Sequence, residues 1–198
     1  KSYIHITGLR VQNVVTLSNE NNGGIIIRRS SHITVDQVST HNTISSGIGV
    51  WDSQNITIDS NRVELANRYS SSQECLTMAG TSAFQISNNE VVDCNDEGIN
   101  VKDGSSDGKV YKNHVHQTLS TGIYIDAYAH RTYNIAVFQN LIHDSTNDNG
   151  IALGSEKGGL LEEVHIYNNI IYHNRFCGIL LSNAGDGNNL DQHPMKNI

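Results

Sequence analysis

Four side chains suited to proton transfer stand close together near the middle of the chain: Lys102, Tyr124, Asp126 and His130. Carboxylates crowd the same region, with Asp96 and Glu97 just before Lys102 and Asp103 just after it. A lysine can act as a base near neutral pH when burial or its neighbours depress its pKa. A tyrosine or histidine can return the proton. Together these groups suit removal of a proton next to a carboxylate, followed by loss of the oxygen on the neighbouring carbon. Polymers that contain uronic acids are cleaved in this way. The dianion that develops needs a cation or a hydrogen-bond donor close by. In this scheme Lys102 is the base and Tyr124 or His130 the acid. Asp96, Glu97 and Asp103 are candidate ligands for Ca2+, which prefers oxygen donors and can bridge to a substrate carboxylate. Hydrolysis by two carboxylates is the alternative, with Asp126 paired to Asp103 or Glu156.

What must position these residues is a repeat. The pattern Gly-apolar-x-apolar begins at Gly24, Gly47, Gly98, Gly122, Gly150 and Gly178, and Cys75-Leu76-Thr77-Met78 is a copy with Cys in the first place. Successive copies are 23, 28, 23, 24, 28 and 28 residues apart. A period of this size means stacked supersecondary units, none of which can bury its apolar face alone. A second pattern, apolar-x-apolar followed by Asn at fixed phase, runs between the first through Asn61, Asn89, Asn113, Asn140 and Asn169. These asparagines are expected at a corner. There Asn tolerates the left-handed conformation, and stacked Asn amides can bond one another.

Period-2 alternation sends the second and fourth positions of the Gly motif inward and the third and fifth outward. The third positions read Ile26, Gly49, Thr77, Asn100, Tyr124, Ala152 and Leu180. The fifth read Arg28, Trp51, Ala79, Lys102, Asp126, Gly154 and Ser182. Polar and aromatic entries gather in the middle rungs, flanked by Asp52, Glu74, Tyr128, His130, Glu156 and Lys157. Arg28, Trp51, Asn100, Tyr128, Glu156 and Lys157 are therefore expected to bind substrate. Trp51 is read as a sugar-stacking platform or as packing under the loop at 67–74. Histidines 114, 116, 143, 165 and 173 look like decoration of the solenoid surface.

A net charge of −7 argues against a nucleic-acid partner, which needs clustered Lys and Arg. No apolar run is long enough to span a bilayer. Three cysteines, Cys75, Cys94 and Cys177, are too few for a disulfide framework and are read as free thiols. Oligomeric state is not legible here.

The repeats resemble those of the pectin-lyase-like superfamily from Tyr3 to Leu181. The resemblance implies an all-β fold, a single-stranded right-handed parallel β-helix of about seven to eight coils. It forms one domain over 1–198, and the chain can equally be a core cut from a longer protein with its caps missing. The stretch Asp96–Lys102 looks like the rung of the chondroitinase B and alginate lyase group that carries calcium ligands and the base Lys. On the next rung that group has an Arg where this chain has Asp126. The set Lys102, Tyr124, Asp126 and His130 is similar in kind to that of mannuronan C5-epimerases. The resemblance implies a secreted or cell-surface protein acting on an acidic polysaccharide, a lyase by first expectation. An epimerase, a hydrolase or a non-catalytic glycan-binding β-helix are the alternatives.

Overall fold

A computed structural model describes residues 2–15, 23–68, 73–182 and 194–198. The chain is an all-β parallel solenoid built from three sheets of eight, seven and seven strands. Sheet A runs from Ser2–Thr7 to Met195–Lys196, sheet B from Arg10–Val14 to Ile170–Tyr172, and sheet C from Ile25–Arg28 to Ile179–Ser182. Each coil visits A, B and C in turn, and each strand pairs in parallel with the equivalent strand of the next coil. Seven stacked strands are separated by six steps, so the solenoid makes about six turns, slightly fewer than expected. Among the described residues no helix is long and apolar enough to cross a membrane.

The core is the column that the alternation demands. Ile48 and Val50, Leu76 and Met78, Ile99 and Val101, and Ile123 and Ile125 are fully buried beneath sheet C. Ile56 and Ile58, Phe84 and Ile86, and Ile135 and Val137 do the same beneath sheet A. One coil breaks the pattern with Gly108 in an apolar place, and the Phe84 ring of the coil below occupies the volume a side chain there would need. The motif glycines mark close approach between coils. A Cβ at Gly98 would lie 2.6 Å from the Gly122 carbonyl oxygen, and one at Gly122 would lie 2.8 Å from that of Gly150.

The asparagines form the expected ladder at the A-to-B corner. The Nδ2 of Asn61, Asn89 and Asn113 each donates to Oδ1 of the next Asn at 3.0 Å, and Asn140 does so to Asn169 at 2.9 Å. The left-handed conformation, however, belongs to the residue before each one: Ser60, Asn88, Lys112, Gln139 and Asn168 have positive φ, and the ladder asparagines do not. The bend is made one residue early so that the Asn side chain can point into the corner and bond backbone on both sides.

The cysteine expectation is corrected. Cys75 and Cys94 form a disulfide that ties the start of a sheet C strand to the end of a sheet B strand, and only Cys177 is free. Coiling the chain brings both sulfurs into the interior, which a spacing of 19 residues did not reveal.

Candidate functional site

The register of sheet C places the candidate residues side by side. Asn100 pairs with Tyr124 and Lys102 with Asp126 on adjacent strands, which lie about 5 Å apart in such a sheet. All four occupy outward positions, so they share one wall. Arg28 and Trp51 belong to the same column, but Ala79 separates them from Lys102. That sets Arg28 about 14 Å away.

Lys102 is bound rather than poised. Its Nζ donates to Glu74 Oε1 at 2.6 Å, and Glu74 is only 4 % exposed. Thr77 Oγ1 donates to the other Glu74 oxygen at 2.8 Å and contacts Ser46 Oγ at 2.8 Å. Burial works to lower the Lys102 pKa, but Glu74, Glu97 and Asp126 outweigh it and the net shift is upward. The expected depressed base is thus a fixed cation. The sequence singled out Glu74 only as a flanking acid. A sharper signal was available: Glu74 and Glu97 both stand immediately before the first residue of the strand motif, hence in one column.

The group on this wall whose pKa lies nearest neutrality is Asp126. It is 2 % exposed, and burial together with Glu156 pushes its pKa up to about 7, although it accepts the Tyr128 N–H at 2.6 Å. Tyr124 lies across Gly154, which has no side chain to obstruct it, and donates its hydroxyl to Glu156 Oε1 at 2.8 Å. Burial and the surrounding carboxylates raise the Tyr124 pKa, so its phenol serves as a hydrogen-bond donor and not as a ready acid. Burial, Asp96 and Glu74 push Glu97 up to about 9, and burial also raises Asp96. Asn100 is 3 % exposed, and its Oδ1 meets no donor among the described residues. An unpaired buried acceptor of this kind is costly.

The calcium set does not assemble as expected. Asp96 and Glu97 precede the strand Ile99–Lys102 and Asp103 follows it, a separation of about 20 Å for an extended chain. Asp103 instead anchors a turn, accepting from the backbone N–H of His130 at 3.0 Å and of Ala129 at 3.2 Å, and from His130 Nδ1 at 2.6 Å. Glu74 is engaged by Lys102, and Asp96 and Glu97 bond each other with raised pKa values. This donor set suits a buried ammonium better than Ca2+, which needs several ionised oxygens converging on one point.

The remaining candidates line the edge of the wall where sheet C bends toward sheet A. His130 is 72 % exposed along its side chain, and its Nδ1 lies 2.6 Å from Asp103 Oδ1. Lys157 lies 5.2 Å from the Tyr128 ring centre, and its N–H bonds the Tyr128 carbonyl. Along the same corner is a hollow of about 660 Å3 bordered by Arg29, Asp52, Ser53 and Gly80. Trp51 is not an open platform. It folds over Gly49, and the Arg28 guanidinium sits over its ring, 4.7 Å from the centre. Of the loop at 67–73 that flanks the wall, residues 69–72 lie outside the described residues.

Comparison with known proteins bears on the fold. The family described as right-handed β-helix region matches residues 23–193. No curated protein sequence matches the chain. Among solved structures, a point mutant of the periplasmic alginate epimerase AlgG is similar with TM-score 0.66 at 16 % identity, over 87 % of this chain and 39 % of that one. PfbA, a surface adhesin of Streptococcus pneumoniae, is similar with TM-score 0.53 at 11 % identity, over 85 % of this chain and 57 % of that one. The chain spans less than two thirds of either protein.

Proposed function

The chain belongs to the right-handed β-helix family, and from that premise we propose a carbohydrate-active protein that binds an acidic polysaccharide along the outer wall of sheet C. The observation that carries this reading is Asp126, a buried carboxyl with its pKa near 7, set across one strand pair from the permanently charged Lys102. Removing the proton beside a uronate carboxylate needs a base balanced near neutrality and a cation for the charge that develops. Asp126 takes the first role and Lys102 the second. Tyr124 and Asn100 fix the sugar by hydrogen bonds, and His130 supplies a second proton-transfer group at the edge. If the C4 oxygen leaves, the reaction is a β-elimination; if the proton returns from the other face, it is an epimerisation.

A second reading is favoured by Glu156, whose charge raises the pKa of Asp126 and whose backbone N–H bonds it. In a glycoside hydrolase Asp126 would be the acid and Glu156 the base or nucleophile. The two readings differ in the sign of one pH limb. A base at Asp126 gives turnover that rises through about pH 7, and an acid gives turnover that falls there.

The Cys75–Cys94 disulfide supports an oxidising compartment and hence secretion or surface display. The test is a panel of uronate and neutral polysaccharides, read by absorbance of unsaturated ends, by solvent deuterium uptake and by new reducing ends. We expect one of these signals from the native chain and its loss in Asp126→Asn. Turnover undiminished in that variant would overturn the assignment, and binding with no turnover on any polymer would leave only a glycan-binding wall.

A further inference from the structure

A second cluster stands on a different wall. His114 and His116 project from the sheet B strand His114–Thr118, and His143 projects from Leu141–His143 on the next coil, where it is the Cα partner of His116. One nitrogen from each of the three rings lies within 4.8 Å of the other two. The Nε2 atoms of His114 and His143 are 2.9 Å apart. Two of the three pairs stack, His114 with His116 at 4.2 Å and 23° and His116 with His143 at 5.2 Å and 17°. His143 stacks in turn on Tyr172. The third pair departs from the geometry of the solenoid's aromatic ladder. In that ladder Tyr111, Phe138 and Tyr167 lie with planes 2° apart and centres 4.9 to 5.0 Å apart. The His114 and His143 planes open at 38°, and their nitrogen tips converge while their centres stay 5.1 Å apart.

The surroundings prepare nitrogen lone pairs. His143 Nδ1 sits 2.8 Å from Asp144 Oδ2, where the carboxylate accepts a hydrogen bond from the Nδ1–H tautomer, the one whose Nε2 lone pair faces His114. A carboxylate behind a histidine is the usual support of a metal ligand. Glu90, the Cα partner of His114, brings Oε1 to 3.4 Å from His116 Nε2, and its other oxygen is held by Arg62. All three rings are half-buried, so the group is sheltered yet reachable.

We infer that His114, His116 and His143 bind one divalent transition-metal ion of the zinc class, clamping two neighbouring coils on sheet B. Tetrahedral zinc at about 2.0–2.1 Å from imidazole nitrogen sets its ligand atoms about 3.3 Å apart. The cluster reaches that arrangement by small side-chain rotations. Imidazole donors select zinc, copper or nickel over calcium or magnesium, and Glu90 is placed to complete the shell. The site is independent of the glycan wall and does not rest on its assignment.

The test uses the untagged, chelator-treated chain titrated with Zn2+ by calorimetry and with Co2+ by visible absorption. We expect one ion per chain and a raised melting temperature in the presence of zinc. His143→Gln should abolish binding, and Asp144→Asn should weaken it about 10- to 100-fold. His165→Ala, on the exposed face of sheet A, should leave it unchanged. Ring-nitrogen NMR of the native chain reads the same claim without a variant, with shifts on zinc addition at histidines 114, 116 and 143. No binding at millimolar Zn2+, or binding that leaves those three signals unmoved, overturns the proposal.

Discussion

Two opposing effects meet at Asp126. Burial and the Glu156 charge raise its pKa, while the Tyr128 and Glu156 N–H groups and Lys102 pull it down, and the balance falls near 7. Asp126→Asn keeps the shape and removes the titrating oxygen. We predict a loss of turnover of about 10²-fold or more with glycan affinity and melting temperature nearly unchanged, measured by steady-state kinetics beside calorimetry. Glu97 offers a test through stability. Its pKa in the folded chain, about 9, lies above the ordinary glutamate value of 4.5. The stability that goes with its protonated form is therefore complete below pH 4.5 and is lost as pH rises toward 9. Glu97→Gln should raise the melting temperature at pH 8 and leave it unchanged at pH 4, as thermal unfolding at the two values will show. The sequence identified Lys102, Tyr124 and Asp126 as neighbours, because period-2 alternation and repeat phase determine who faces whom. It did not reveal the charge state of Lys102, because the partner that decides it, Glu74, is 28 residues away.

Individual strands here are short, four residues in most of sheet C, and are held by their corners as much as by their ladders. Asn113 donates to the Ile86 carbonyl and to Asn140, and accepts from both the backbone and side chain of Asn89. Truncation to Ala strands several buried partners at once. We predict a cost of about 3 kcal/mol by urea unfolding, larger than the cost of truncating Asn169 at the half-buried end of the ladder. The disulfide acts at the same scale. Cys94→Ser should cost about 3 kcal/mol, measured against the oxidised chain under identical conditions. The Asn pattern was readable because its phase repeats in every coil. The left-handed residues beside it were not, since Ser60, Lys112 and Gln139 share no side-chain chemistry. Their conformation is imposed by the stack, which recovers elsewhere the cost of bending non-glycine residues.

Seen whole, the molecule is a column whose walls do different work. Sheet A carries an aromatic ladder, sheet B a histidine cluster, and sheet C a band of carboxyls around one lysine. The fold class was legible because a solenoid writes its architecture as a repeat, though the number of coils came out slightly lower than expected. The outline of the sheet C wall was legible for the same reason. Burial, ion pairing and the position of Trp51 over Gly49 depend on contacts between coils, and those follow from packing alone. The role of the sheet C wall is tested most directly by a crystal structure of the Asp126→Asn chain with a bound uronate oligosaccharide. The sugar is expected to lie across sheet C with its carboxylate against Lys102 and its C5 over position 126. An oligosaccharide seated on sheet A or sheet B, with Lys102 still closed on Glu74 and untouched by sugar, would contradict that role.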